Sequence, residues 1–338
     1  MKKIAIATMV GQNHGNRLQN YALQAVLERM SGAQVETLRT VYGPGATNRC
    51  AKAVLRHVFP KKRWARFTTF DAQYIRFSRW RMDDAKLETA GYSLFVIGSD
   101  QVWNPTFDIT GEAEYLPQVC KEKKVSYAAS FGVDDVPAED ERTRNLLNDI
   151  SRISVREETG QHIVRKLTGR EASLVLDPVL LLTADDWLSV AQKPSLPVRE
   201  GQYQLRYALG HGVAQPHAED LQVVNLGDHT LPFGPAEFVW LVKNAACVCT
   251  DSYHATLFSL LMHTPFTTFR RESHNEDMSS RFETIERLAG GPLSHGGSDV
   301  VTGVEDAQDW AQIESNIQHE RRRSLTFLEE ALHDTNLL

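Results

Sequence analysis

Four stretches of the sequence bring acids, amides, a guanidinium or an imidazole to places where an apolar run stops. In Gly98-Ser99-Asp100-Gln101-Val102-Trp103-Asn104-Pro105 a carboxylate, two amides and an indole follow directly on such a run. A carboxylate and amides bind sugar hydroxyls through paired hydrogen bonds, and an indole face stacks on a sugar ring. The same residues also suit a turn in which Asp100 caps a helix. In Thr250-Asp251-Ser252-Tyr253-His254-Ala255-Thr256 a polar turn opens an apolar helix. The unpaired N–H groups and dipole of a helix start hold anions. Ser252 can cap that helix and touch a phosphate, and His254 in its first turn can donate to an anion or act as an acid.

The third stretch is Ser154-Val155-Arg156-Glu157-Glu158-Thr159-Gly160. Arginine suits two-pronged recognition of carboxylate or phosphate, and it equally suits a structural ion pair. Glu157 and Glu158 fit as complements to a helix dipole. The fourth runs from Gly11 through Gly15 to Tyr21. Its glycines let a ligand approach the backbone, and Asn16, Gln19 and Asn20 can bind hydroxyls. It lacks the dinucleotide fingerprint spacing and has no phosphate-loop lysine. Arg270 and Arg271 follow a later strand and can add positive charge to the anion site. Neighbouring strand residues point to opposite faces, so at most one reaches it. Asp177-Pro178 reads as a strand end without chemistry.

The elements that must carry these residues alternate short apolar runs with amphipathic ones, the pattern of a parallel α/β fold. Strands are predicted over 3–8, 35–38, 93–98, 125–130, 152–155 and 173–176, then over 203–208, 222–226, 246–250 and 266–269. Helices are predicted from about 18 to 30 and 157 to 167, then over 235–244, 254–262, 281–288 and 306–333. Pro194 and Pro197 flank a polar stretch where the rhythm restarts, so two domains are expected, 1–190 and 191–338. In doubly wound sheets ligands sit beyond the carboxyl ends of the strands, where all four stretches fall. A cleft between the two domains is the expected place for chemistry.

Composition narrows the classes. The chain has 338 residues, 42% of them hydrophobic and 24% charged, enough for two buried cores. A net charge of -6 argues against a nucleic-acid partner. The four cysteines (Cys50, Cys120, Cys247, Cys249) show neither zinc spacing nor a disulfide framework. No metal is expected, and no run approaches the ~20 apolar residues of a membrane span. A cytoplasmic location is expected. Between Arg49 and Arg81 ten Lys/Arg meet one acid, Asp71, interleaved with Trp64, Phe67, Phe70, Tyr74, Phe77 and Trp80. That stretch suits either an anionic membrane surface, as a peripheral contact through 49–81, or amphipathic helices packing their aromatics inward.

Taken in order, several pieces resemble the polysaccharide pyruvyl transferase family. They are 15–24, 98–104, Ser126 to Gly132, 154–157, 177–181, 235–238 and, most telling, Thr250-Asp251-Ser252-Tyr253-His254-Ala255-Thr256-Leu257-Phe258-Ser259 with Pro265-Phe266. The resemblance implies a glycosyltransferase-B-like fold of two Rossmann-like domains facing a cleft. It implies transfer of a pyruvyl group from phosphoenolpyruvate, as co-substrate and without a cofactor, to a glycan or lipid-linked oligosaccharide. His254 and Asp100 would be catalytic. Arg156, Ser252, His254 and Arg270 or Arg271 would bind the donor in the second domain's site. Asn16, Gln19, Asn20, Ser99, Asp100, Gln101, Trp103 and Asn104 would line the acceptor side, in the first domain. Family members often carry an arginine two residues before the histidine, where this chain has Ser252. A nucleotide-sugar glycosyltransferase and a non-catalytic glycan-binding relative are the alternatives. The oligomeric state is not legible.

Overall fold

The computed structural model describes residues 2–11, 13–40, 61–107, 111–210, 220–227, 231–269, 279–290, 300–302 and 307–338. The chain divides into two compact units. Unit 1 comprises 1–53, 71–181 and 320–338; unit 2 comprises 54–70 and 182–319.

Unit 1 is built on parallel strands β1 (Lys3–Ala7), β2 (Gln34–Arg39), β3 (Phe77–Arg81), β4 (Leu94–Ile97) and β5 (Lys124–Ser126), in the order β3-β2-β1-β4-β5. A parallel pair, β6 (Ser154–Val155) and β7 (Ser173–Leu174), continues the sheet beyond β5 through bridges Val125–Arg152 and Ala129–Val155. All residues of β4 and β5 are buried, as expected of strands covered on both faces of a parallel sheet. The order reverses between β1 and β4, so the turns after these two strands flank the topological switch point where such sheets bind ligands.

Helix α1 (His14–Ser31) leaves the β1 turn. Asn13 caps it by accepting from the Gly15 N–H at 2.8 Å, and Gly32 ends it at φ 62, a left-handed conformation that a Cβ disfavours. Helices α2 (Lys61–Tyr74), α3 (Glu141–Asn148) and α4 (Glu158–Thr168) follow along the chain.

Unit 2 is built on β8 (Tyr203–Tyr207), β9 (Gln222–Asn225), β10 (Cys247–Thr250), β11 (Phe266–Phe269) and β12 (Val300–Thr302), in the order β12-β11-β10-β8-β9. Only β12 runs antiparallel, as an edge strand. Here the order reverses between β8 and β10. Helices α5 (Ala184–Leu188), α6 (Pro235–Lys243), α7 (Tyr253–Met262), α8 (Ser279–Ala289) and α9 (Ala307–Asp334) complete the described elements, and α9 runs from unit 2 residues into unit 1 residues. Every residue of α7 is buried, which explains why its sequence is apolar all round rather than striped.

Of the basic, aromatic stretch, 49–60 lies outside the described residues. The remainder forms α2 and the edge strand β3. Phe67 and Phe70 are buried, while Trp64 is exposed. Arg63 donates to the Leu226 carbonyl at 3.1 Å and Arg66 pairs with Glu237 at 3.1 Å, so part of the positive charge is spent inside unit 2. Among the described residues no helix is long and apolar enough to cross a membrane.

Candidate functional site

In unit 1 the switch point is held together by side chains. Thr8, just past β1, donates to the Ser99 carbonyl at 2.8 Å and accepts from Gln19 Nε2 at 2.9 Å. Asn20 accepts from the Thr37 hydroxyl at 2.9 Å. Gln19 and Asn20 are fully buried. Their amides therefore sit within strand–helix packing, although their residue types suited them to bind acceptor hydroxyls. Asn16, one turn earlier and half-buried, is the member of that trio that reaches the surface.

Beyond β4 the chain turns sharply. Gly98 has φ 115, and an added Cβ would lie 2.3 Å from the Tyr127 carbonyl, so only glycine fits. Asp100 takes φ 71, a left-handed conformation that costs a non-glycine residue on the order of 1 kcal/mol. The surroundings hold it there. Asp100 N–H donates to Ser99 Oγ at 2.6 Å, and the Asp100 carbonyl accepts from Ser130 N–H at 3.0 Å. Its carboxylate is engaged at both oxygens. Oδ1 accepts from Gln101 N–H at 3.0 Å and from Arg156 Nη2 at 3.0 Å, and Oδ2 accepts from Asn16 Nδ2.

Arg156 leaves β6 fully buried. Its Nη1 donates to Asp177 Oδ2 at 2.8 Å, and its Nε lies 3.5 Å from Glu157 Oε2. One guanidinium thus meets three carboxylates, Asp100, Glu157 and Asp177. Backbone and hydroxyl donors spread the excess negative charge: Phe131 N–H donates to Glu157, and Val179 N–H and Ser99 Oγ donate to Asp177. Arg156 is a structural ion-pair partner here, the plainer of the two roles its residue type suits. Asp177, read from sequence as a bare strand end, is the residue that sequence reasoning missed. Its signals were its position, after a strand just as Asp100 is, and its place in the matching piece 177–181.

Trp103 does not offer a face to a sugar. Tyr115 stacks on it at 5.3 Å and 8° between planes, and Phe131 covers it at 5.2 Å. The indole is 3% exposed and belongs to the core of unit 1. Asn104 accepts from Thr106 N–H and hydroxyl, which closes the loop. Gln101 is buried with its amide against Gly132, where a Cβ would come within 1.9 Å of Nε2.

In unit 2 the corresponding turn follows β10. Thr250 Oγ1 donates to the Tyr207 carbonyl at 2.6 Å and accepts from Ser252 N–H at 2.9 Å. Asp251, 2% exposed, accepts the N–H groups of Leu209 and Gly210, each at 2.7 Å. Its carboxylate ties the β8 turn to the β10 turn across the switch point. Ser252 caps α7 by accepting from Ala255 N–H at 3.4 Å, as its sequence position predicts. His254 sits in the first turn of α7, 7% exposed, its ring edge-on to Tyr253. Arg270 and Arg271 lie outside the described residues. Cys249 under this turn is a buried thiol, pushed up to about 11 by burial, and accepts from Gln204 Nε2 at 3.0 Å. Among the described residues no group of His, Cys, Asp or Glu is placed to hold a metal ion.

Comparison with known proteins bears on both turns. The family model "Polysaccharide pyruvyl transferase" matches residues 13–273, a span that takes in Asn16, Asp100, Arg156 and His254. A search of the curated proteins finds no match. Similar solved structures include the UDP-GlcNAc 2-epimerase of Neisseria meningitidis bound to UDP-GlcNAc, at 11% identity and TM-score 0.50, covering 99% of this chain and 94% of that one. Another is a putative UDP-N-acetylglucosamine 2-epimerase of Listeria monocytogenes, at 12% identity and TM-score 0.50, covering 100% and 90%. A third UDP-N-acetylglucosamine 2-epimerase matches at 11% identity and TM-score 0.51, covering 98% and 96%. At these identities the likeness is one of fold, the glycosyltransferase-B-like class with its two Rossmann-like domains. The family match covers well over half of the sequence: the chain belongs to the polysaccharide pyruvyl transferase family, a family of transferases.

Proposed function

We propose that the chain moves the pyruvyl group of phosphoenolpyruvate onto two hydroxyls of one sugar in a glycan or lipid-linked oligosaccharide. The observation that carries this reading is the family match across 13–273, which includes the turns at both switch points. In the reaction the enol carbon C3 gains a proton and becomes a methyl group. C2 is then open to attack by the first hydroxyl, and its bond to the phosphate oxygen breaks. The second hydroxyl closes the ketal. Of the two hydroxyl protons lost, one balances the proton gained at C3 and the other leaves with phosphate.

The donor carries a carboxylate and a phosphate, so it needs N–H donors and positive charge. The start of α7 supplies the first, with Ser252 as its cap and His254 as the acid or phosphate partner. Arg270 or Arg271, which follow β11 in the sequence, would supply the charge that an arginine at position 252 would otherwise bring. Asp100 and Asn16 stand on the acceptor side. With both carboxylate oxygens already accepting hydrogen bonds, Asp100 is better suited to orienting an acceptor than to taking its proton.

Incubation with phosphoenolpyruvate and a panel of hexosides, read by phosphate release and by mass spectrometry of the hexoside, tests the proposal. His254→Ala should lower the rate by roughly 10²–10⁴-fold with the circular dichroism spectrum unchanged. Full activity in that variant would remove His254 from the reaction. The UDP-GlcNAc bound to the Neisseria meningitidis epimerase motivates a second reading, transfer from a nucleotide-sugar. Release of UDP rather than phosphate in the same assay would favour it. Glycan binding in calorimetry without binding of either donor would favour a non-catalytic relative.

A further inference from the structure

From the three carboxylates gathered on Arg156, one line of contacts leads outward. Asp177, past β7, holds Arg156 Nη1 at 2.8 Å; Arg156 Nη2 holds Asp100 Oδ1 at 3.0 Å; Asp100 Oδ2 holds the amide nitrogen of Asn16. The first three are nine-tenths buried or more, and Asn16 is half-buried. The line therefore runs from inside the sheet to its ligand-binding edge. An asparagine amide has two different ends, and an ionised carboxylate can only accept. Asp100 thereby dictates that the NH₂ of Asn16 points inward and its carbonyl oxygen points away. That oxygen faces Gly11 in the β1 turn, where an added Cβ would lie 2.7 Å from Oδ1. Arg17 fixes the turn by donating to the Gly11 carbonyl at 2.6 Å.

We infer that Asp177 and Arg156 are positioning residues: acting through Asp100, they fix the polarity of the Asn16 amide so that Asn16 Oδ1 receives a hydrogen-bond donor at the switch point of unit 1. Such an oxygen takes a sugar hydroxyl or an amide N–H and repels a carboxylate or phosphate. This assigns Arg156 to the acceptor side and away from the donor, and gives Asp177 a part in the same function. The inference uses the transfer reading only to supply an assay.

Two measurements test it. The first is steady-state kinetics on a panel of methyl hexopyranosides with phosphoenolpyruvate. Arg156→Lys and Asp177→Asn should raise the hexoside KM about tenfold, the worth of one oriented hydrogen bond, and leave the phosphoenolpyruvate KM within about twofold. Gly11→Ala, which meets only the end of one side chain and needs no unusual backbone, should do the same without touching the ion line. Asn16→Asp, which sets carboxylate against carboxylate, should do more. The second measurement is the NH₂ signal of Asn16 in asparagine-selective ¹⁵N NMR, identified by its loss in Asn16→Ala. It should shift in Arg156→Lys and Asp177→Asn and stay in place in His254→Ala. A wild-type protein that pyruvylates no hexoside while this signal still responds would sink the transfer reading and spare the line of contacts. An NH₂ signal and hexoside KM that ignore both Arg156→Lys and Asp177→Asn, or a donor KM that rises instead, would overturn the inference.

Discussion

The two switch points solve one topological problem with different chemistry. In each unit the strand order reverses, and an aspartate stands just past the strand beside the reversal: Asp100 after β4 and Asp251 after β10. Among the described residues, Asp251 braces backbone, accepting from Leu209 and Gly210. Asp100 spends its carboxylate on side chains, Arg156 and Asn16, and on the next residue's N–H. The consequence is a difference in what each turn can present. Backbone bracing in unit 2 leaves a capped helix start and an imidazole, groups that favour anions. Side-chain bracing in unit 1 leaves an amide with a defined outward end, a group that favours hydroxyls.

If Asp251 braces backbone as described, Asp251→Ala takes the side-chain acceptor from the part-buried Leu209 and Gly210 N–H groups. The expected loss is about 3 kcal/mol of unfolding free energy, measured by denaturant titration. A loss under about 1 kcal/mol would break the comparison, because the β8 turn would then hold itself. Past the Asp100 turn of unit 1, Trp103 stacks on Tyr115, and Glu114 precedes that tyrosine. Burial pushes the Glu114 carboxyl up to about 7. A carboxyl raised in the folded state favours folding while it stays protonated. The unfolded chain ionises it near the ordinary value of 4.5, so stability falls as pH rises from about 4.5 to about 7 and is level above that. Glu114→Gln, which keeps an acceptor for Gly111 N–H, should remove roughly 2–3 kcal/mol of that slope, seen as unfolding midpoints that no longer fall between pH 5 and 7.5. The smallest effect is expected at Ser252→Ala. Its cap hydrogen bond is long, at 3.4 Å, so the loss should be about 0.5–1 kcal/mol by thermal or denaturant unfolding. A loss as large as that of Asp251→Ala would show that the cap, and not the aspartate, holds the unit 2 turn.

The strands and helices around both turns were legible because each is short, apolar and closed by polar residues. The predicted strands at 3–8, 93–98 and 246–250 correspond to β1, β4 and β10, and Ser252 caps α7 where its position after the strand says it should. The sequence could not show which polar residues at a strand end look inward. Gln19, Asn20 and Asn16 lie within five residues of one another on a single helix, and only their facing decides that two bond to Thr8 and Thr37 while one meets Asp100. The same holds for Trp103. An indole at a strand end reads as a sugar platform until Tyr115, twelve residues on, folds back over its face. Arg156 and Asp177 are twenty-one residues apart and meet because β6 and β7 pair in parallel. Nothing in the local pattern encodes that pairing. Two short strands of such weak signal are placed by the sheet they join.

Residues 320–338 belong to unit 1, although residues 182–319, the greater part of unit 2, lie between them and the rest of that unit. Ser324 Oγ accepts from Leu176 N–H, Arg321 donates to the Leu180 carbonyl, and Arg152 pairs with Glu330 and Asp334. A ribosome therefore delivers unit 1 in instalments. Its strands emerge early, but the segment that satisfies Leu176 and Leu180, just beside Asp177, arrives only after residue 319. During synthesis the Asp100 turn waits on residues 320–338, whereas unit 2 can close as soon as its own residues are out.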